Sequence, residues 1–474
     1  MKITETGKMV MDIQKKLMKL NLESKPILLL FMTPILFSAC GKDNYKMEKQ
    51  ITQDFTYNHD LDNNDNFSPD DEWLVYDTRT ETGGIGANGK IEKVHVETGE
   101  KVVLYELEQN RAYGPGVGAV SYSHTNNEVV FIHGLLNCTQ DNPYEQWRRT
   151  GVIIKDDQPG QPIFMDARDI SFPFTVGALR GGTHRHEFSG DGKWIGYTYN
   201  DAIMKKLEDS TGLTHNLRTI GVSKKDHPVS VAESQDGENF SGEWFSTLVV
   251  KVVPNPVPGS DEISRAAGDS WVGHSGYLKS DGATQRARAF IGSTIGENGE
   301  QVDEVYIVDI PEDITIPGEA ALEGTETNLP APPKGTRQRR LTYTANNKYP
   351  GCEGIVRSSF GGSMLAYIAK DDHNIKQIFT ISPWGGEAIQ RTFHDSDVQG
   401  GIRWHPKEHR LVYVWQNSLV GLKIEDGKST ILTKPSQNPP KNPVWSHDGN
   451  KIAYNRMVSK NGNTPTMQIF VIKM

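Results

Sequence analysis

Phe188-Ser-Gly-Asp-Gly-Lys-Trp-Ile-Gly-Tyr197 is one copy of a repeat, and its reading decides the fold. The same grammar stands at Phe67-Ser-Pro-Asp-Asp-Glu-Trp-Leu-Val-Tyr76, Trp404-His-Pro-Lys-Glu-His-Arg-Leu-Val-Tyr413 and Trp445-Ser-His-Asp-Gly-Asn-Lys-Ile-Ala-Tyr454. Weaker copies are Tyr122-Ser-His-Thr-Asn-Asn-Glu-Val-Val-Phe131 and Ser358-Ser-Phe-Gly-Gly-Ser-Met-Leu-Ala-Tyr367. The weakest begins at Leu278-Lys-Ser-Asp-Gly and leads into Arg288-Ala-Phe-Ile291. In most copies an aromatic residue ends one strand, a Ser/Pro/Asp/Gly cluster makes a tight turn, and an alternating apolar strand follows. Recurrence of such a unit marks a repeat architecture.

Further strands complete each unit, as at Gln377-Ile-Phe-Thr-Ile-Ser382 and Glu304-Val-Tyr-Ile-Val-Asp309, and a Leu-Thr-like end follows at Arg340-Leu-Thr342 and Gln390-Arg-Thr392. A four-stranded sheet cannot hide both faces alone, so the copies must stack radially. Seven copies imply an all-β fold: a seven-bladed β-propeller of four-stranded blades over residues 49–474. The last copy ends at Gln468-Ile-Phe-Val-Ile-Lys473, a third strand with no fourth after it, and Lys49-Gln-Ile-Thr52 matches the missing one. The N-terminal strand is therefore expected to complete the C-terminal blade and cover its edge. Residues 254–270 and 311–340 are long for blade connections and are expected to cover one rim, where binding loops commonly lie.

Residues 1–40 read as an address. The apolar run 26–39 is short for a membrane span and ends in Leu36-Phe-Ser-Ala-Cys40. Small residues before a cysteine resemble a bacterial lipobox, which implies a lipidated Cys40, a short tether at 41–48 and a place in the cell envelope, facing the periplasm or in the outer membrane. A formal charge of -9 without basic runs argues against nucleic acid as a partner. Cys138 and Cys352 lie in distant repeats without CxxC spacing, so they predict neither a zinc site nor a disulfide.

The candidate chemistry sits on the inner strands. Five residues before each turn stand Asn63, Gly118, His184, His274, Gly354, Gly400 and Lys441, and three before it stand Asp65, Val120, His186, Gly276, Val356, Ile402 and Pro443. Small and apolar residues suit the crowded axis, so the histidines are the exception. Residues two apart on a strand share a side, which lets His184 and His186 converge near a channel mouth with His274 on the next blade and Gln399 at the start of the sixth inner strand. Neutral imidazoles at this spacing suit one divalent metal such as manganese, zinc or iron, with calcium as a further candidate where oxygen ligands join, or they line a polar channel and bind only water or substrate. Arg180 beside Gly181-Gly182 offers a two-toothed clamp for an anion. Asp77, Arg79 and Asn200-Asp201 read as strand ends, and Gly114-Pro-Gly-Val-Gly118 opens no helix and is no phosphate loop. His133, Trp147, Arg148 and Arg149 frame an insertion in blade 2 that packs a loop or stacks a sugar.

The repeat resembles TolB-type (WD40-like) propellers. Loop motifs sharpen this to a resemblance with the YidR-like propellers of bacteria: Trp73-Leu-Val-Tyr-Asp-Thr-Arg79, Phe131-Ile-His-Gly134, Leu179-Arg-Gly-Gly-Thr-His-Arg-His186, Thr198-Tyr-Asn-Asp201 and Pro258-Gly-Ser-Asp-Glu-Ile263. Trp271-Val-Gly273, Gly324-Thr-Glu-Thr-Asn-Leu-Pro-Ala-Pro-Pro333 and Tyr349-Pro-Gly351 extend it over nearly the whole chain. That resemblance implies an architecture and assigns no chemistry. A fainter one, of Thr183-His-Arg-His186 to the His-x-His pair of oligogalacturonate lyases, implies a channel metal that stabilises an enolate. Here Gly181 replaces the lyase-type glutamine, and the pair sits in blade 3 with its offset from the turn changed by one residue. Two functions stand at this level. One is a binding or scaffolding module for a protein or glycan ligand at the channel mouth, anchored to the membrane by lipid. The other is a divalent-metal-dependent polysaccharide lyase or hydrolase. No Ser-His-Asp triad or nucleophile elbow is visible.

Overall fold

Serine and aspartate, with glycine in two of three cases, build the turn after the innermost strand in the clearest repeats. In the computed structural model Ser189 Oγ donates to Asp191 Oδ1 at 2.5 Å and accepts from Trp194 N at 3.1 Å, while Gly192 takes the left-handed φ of 67°. Ser68 with Asp70 and Trp73, and Ser446 with Asp448 and Lys451, repeat the arrangement. The structure describes residues 45–62, 65–80, 84–225, 227–460, 462 and 464–474; the leader with Cys40, and Asn63, lie outside them.

Seven blades follow in chain order. Blade 1 is Trp73–Asp77, Lys90–His95 and Lys101–Glu106, with an irregular innermost segment bridged through Asp60↔Asp77 and Phe67↔Leu74. Blade 2 is Val117–Tyr122, Glu128–Gly134, Arg149–Lys155 and Ile163–Phe164, and blade 3 is Gly181–Phe188, Trp194–Asp201, Thr219–Lys224 and Phe245–Leu248. Blade 4 comprises Arg265–Trp271, Ala287–Ile295, Gln301–Asp309 and Arg337–Arg340; blade 5 comprises Cys352–Ser358, Leu365–Lys370, Lys376–Ile381 and Ile389–Gln390. Blade 6 is Gly400–Trp404, Arg410–Trp415, Ser418–Lys423 and Ser429–Ile431. Blade 7 is Lys441–Trp445, Lys451–Val458 and Thr466–Lys473, closed by Glu48–Gln50 in the register Glu48↔Ile472, Lys49↔Val471 and Gln50↔Phe470. The expected sharing of one blade by the two ends is thus observed.

The core lies between the blades. Trp194, Ile220, Phe290 and Tyr306 pack blade 3 against blade 4, and Val130, Ile153, Ile195 and Tyr197 pack blade 2 against blade 3. Polar staples join the inner strands: the indole N–H of Trp271, Trp404 and Trp445 donates to the carbonyls of Glu187, Arg357 and Arg403 of the preceding blade. Ser121 and Ser270 donate to His186 O and Val356 O of the following blade. Such a bond satisfies a buried carbonyl and fixes the angle between neighbours.

Every inner strand that pairs regularly breaks its register at one level. In blade 3 the break falls between Gly196 and Thr198, opposite Arg185 with φ 58°; Ala119, Gly268, Gly401 and Asn442 carry positive φ at the matching place of blades 2, 4, 6 and 7. A bulge inserts one residue and re-aims those on either side. The break also corrects the register for blade 4. Its inner strand is Arg265–Trp271, so Ala267 and Asp269 hold the levels of His184 and His186. His274 lies beyond the strand, ahead of a small hairpin, Tyr277–Leu278 with Thr284–Gln285, that makes the Leu278 turn an insertion.

Candidate functional site

The bulge decides what the two histidines do. His184 is 3% exposed, with a ring nitrogen 3.0 Å from Thr198 Oγ1 and the Arg218 guanidinium 2.7 Å from Nδ1. His186 is fully buried, its Nε2 2.9 Å from Thr183 Oγ1 and its ring beside Tyr197. It also covers Gly151 of blade 2, where a Cβ would come within 2.9 Å of Nε2 and 2.7 Å of Met165 Cε, so a larger residue there would have to displace them. The rings therefore address different neighbours, and the convergence expected from their spacing fails because the strand between them is not regular. Burial holds both imidazoles neutral. His184 lies well below its ordinary pKa, with the charge of Arg218 adding to burial, and His186 is pushed down to about 3.

The other predicted members lie elsewhere. Gln399 is exposed and makes a reciprocal pair with the turn at Asn417, its Nε2 2.8 Å from Asn417 Oδ1 and its Oε1 2.8 Å from Asn417 N. His274 is half-buried and stacked on Phe360 at the opposite end of the inner strands. Arg180, expected as an anion clamp, has no exposed surface. Its Nε and Nη2 lie 3.1 and 3.0 Å from Asp201 Oδ2, Nη2 donates to Asn328 O, Nη1 donates to Thr325 O, and the guanidinium lies 4.6 Å from the Phe174 ring centre. Asp201 also accepts from Tyr199 and caps the helix Ala202–Thr211 through Met204 N. Arg180 is thus a structural rivet that pins the 311–340 insertion to blade 3.

A divalent metal fits poorly at His184. A guanidinium already stands against its ring, and a second cation there would meet Arg218 at contact distance. Among the described residues no group of three or more His, Cys, Asp or Glu side chains stands ready to hold a metal ion.

What the inner-strand entrances do gather is positive charge. Arg149, Arg185, Arg218 and Arg265 act on one another or on His184, and none has a carboxylate within 4.0 Å among the described residues. Burial, with Arg265 and Arg149 next, pulls Arg218 down to about 10. The Nε atoms of Arg149 and Arg218 are buried without a hydrogen-bond partner among the described residues. Arg149 stacks at 4.6 Å on Tyr144 and lines a cavity of about 420 Å³ with Tyr113, Pro143 and Gly84–Ala87's Gly84 and Gly86. The blade 1 side is acidic: Asp60, Asp62 and Asp77 surround Arg79 at 3.6, 2.8 and 2.9 Å. Burial and the neighbouring Asp77 raise Asp60 to about 7.

Of the blade 2 cluster, Arg148 pairs with Glu238, Trp147 lies beneath Lys205 at 5.4 Å, buried His133 meets Tyr105 Oη at 3.0 Å, and Arg149 faces the cavity. Arg218 and Arg265 were not among the residues singled out by sequence, because each stands outside the turn alignment. A second cavity, of about 320 Å³, lies at the turn end and is lined by His124, His274, His447, Glu187 and Trp404 among others. His124 and His447 occupy the same position of the turn, after Ser123 and Ser446, which is the signal that marks them in the sequence.

These features define a closed seven-bladed β-propeller with a basic entrance on blades 2 to 4. The chain belongs to the YidR family: it is 38% identical over 406 residues to Uncharacterized protein YidR of Escherichia coli (strain K12), a match that spans 84% of this chain and 92% of that one. A family model described as a protein of unknown function, DUF3748, matches residues 116–239. Among solved structures, an oligogalacturonate lyase in complex with manganese aligns with a TM-score of 0.53 at 11% identity, over 90% of this chain and 93% of that one. TolB from Acinetobacter baumannii aligns with a TM-score of 0.35 at 12% identity, over 85% and 80% of the two chains. The lyase likeness is one of fold.

Proposed function

We propose that this protein is a binding propeller of the cell envelope whose basic entrance takes a carboxylate-bearing glycan. The observation that carries the reading is the crowding of Arg218, Arg149 and Arg185 around neutral His184, with Arg265 beside Arg218, and without carboxylate partners within 4.0 Å among the described residues. Each guanidinium offers a fork that matches a carboxylate, and the clustered positive charges attract an approaching anion. The charge stands out against a chain whose formal net charge is -9. Tyr113 and Tyr144 beside Arg149 supply aromatic surface next to a cation, the pairing that suits an acidic sugar ring over a simple anion.

The metal-dependent lyase or hydrolase reading rests on His184, His186, His274 and Gln399 meeting at one point. Arg218 against His184, and the positions of His274 and Gln399, leave that reading without a ligand set. Titration calorimetry with galacturonate oligomers and with neutral glucan oligomers of equal length tests the proposal. Binding of the acidic series alone, weakened at least about tenfold by Arg218→Gln and by added salt, is expected from the loss of one charge-assisted contact. Equal binding of the neutral series, or none of either, overturns it.

A further inference from the structure

His124 and His447 come from blades 2 and 7, and His124 Nδ1 lies 3.2 Å from His447 Nε2. The outer nitrogen of each ring faces a carboxylate of blade 1: His447 Nδ1 stands 2.9 Å from Asp71 Oδ1, and His124 Nε2 stands 3.4 Å from Asp65 Oδ2. Asp71 also accepts from the backbone N–H of His447 and Asp448, at 2.6 and 2.8 Å, so its position is fixed from three sides.

A carboxylate on the outer nitrogen places the proton there and turns the lone pair inward. Two such rings present lone pairs to each other, an arrangement that needs a bridging proton or a bridging cation. The separation of 3.2 Å fits an N–H···N bond when a proton is shared, and it needs to widen by only about 0.1–0.2 Å to take a cation. Two imidazole nitrogens at the zinc bond length of about 2.0–2.1 Å in tetrahedral geometry lie about 3.3–3.4 Å apart. His274, from blade 4, stands on a third side, its ring centre 5.9 Å from that of His124 and stacked on Phe360 at 5.0 Å. The side chains of His124 and His447 are 21% and 27% exposed, and both line the cavity of about 320 Å³, which gives an ion a way in.

We propose that His124 and His447 form a divalent transition-metal site of the zinc class at the turn end of the channel. His274 completes it by turning off Phe360, and water fills the fourth place. Three neutral nitrogens with one open position make a site that prefers zinc, cobalt or nickel over calcium and magnesium. Asp71 and Asp65 orient the ligands from behind, as carboxylates do in known histidine–zinc centres. The site lies at the end of the inner strands opposite His184, and it stands whether or not the basic entrance takes a glycan.

The test uses zinc alone with the full-length metal-free chain, by calorimetry, and cobalt as a spectroscopic stand-in. A single zinc ion should bind, and cobalt should give the intense visible absorption of a tetrahedral site. His447→Gln and His124→Gln should each weaken binding at least about tenfold, and Asp71→Asn about 10–100-fold, the range seen for outer-shell carboxylates. His184→Gln/His186→Gln should leave it unchanged. Unfolding midpoints of all variants, taken alongside, separate loss of metal from loss of fold. No stoichiometric zinc uptake by a folded wild-type chain overturns the proposal. So does uptake that survives in a folded His124→Gln/His447→Gln chain, or uptake abolished in a folded His184→Gln/His186→Gln chain.

Discussion

Replacing Arg180 by leucine separates a structural arginine from a ligand-binding one. The change removes the guanidinium that, among the described residues, pairs with Asp201 and leaves that carboxylate, itself without exposed surface, facing Tyr199 and the helix N-cap. Breaking a buried ion pair by deleting one partner costs about 3–5 kcal/mol. The carbonyls of Thr325 and Asn328 lose their donors as well, but release of the insertion exposes them to water, so they add no more than about 1 kcal/mol together. A total of about 3–6 kcal/mol is a large part of the roughly 5–15 kcal/mol that holds a folded domain together. Arg180→Leu/Asp201→Asn should recover part of the loss, since the stranded charge is gone. Urea unfolding followed by tryptophan fluorescence measures the cost, and limited proteolysis should show new cleavage within 311–340. A folded Arg180→Leu chain that loses less than about 1 kcal/mol and gains no cleavage would refute the rivet and return Arg180 to the role of an anion clamp.

Three further outcomes are expected. Arg218→Gln should raise the pKa of His184, read by NMR titration of the imidazole, because the guanidinium charge beside the ring adds to burial in disfavouring the protonated form. An unmoved His184 would mean that the guanidinium does not face the ring in solution. Burial pushes His133 down to about 4, below its ordinary 6.5, so the unfolded chain takes up the proton first and the stability this neutral ring contributes is lost as pH falls from 6.5 to 4. His133→Gln should therefore gain up to about 3 kcal/mol on wild type between pH 7.5 and 4 in urea midpoints, and a gap independent of pH would contradict the burial. Trp404→Phe keeps the ring but strands the Arg357 carbonyl, costing about 1–3 kcal/mol in thermal or urea unfolding; no loss would remove the indole staples from the account of the ring.

The fold was legible because its signals are local. Ser189, Asp191 and Gly192 form their turn from residues within the same five, and the strand after it alternates; blade closure followed from counting strands. The site was less so. Residues two apart share a side only on a regular strand, and the positive φ at Arg185 that breaks this rule leaves no mark in a sequence where arginine stands. His274 took its place from the Leu278 turn, which proved to be an inserted hairpin. Arg180 reads as a loop arginine until the 311–340 insertion folds over it, and Arg218 and Arg265 gain meaning only from blades brought together in space. The lipid anchor at Cys40 stands as an expectation, tested by acyl labelling of Cys40→Ser.

Glu48–Gln50 has a mechanical consequence. The strand that seals the ring is also the first strand among the described residues, so a pull arriving from the N-terminal side loads it ahead of the other described strands. Its antiparallel pairing with Thr466–Lys473 presents Glu48↔Ile472 first, and a strand pulled from this end opens like a zipper, one pair at a time. Glu48 is held by Arg456 at 2.8 Å and by the hydroxyl of Tyr454, a clasp set at the pair that would part first. A propeller tethered in this way carries its load on its own latch.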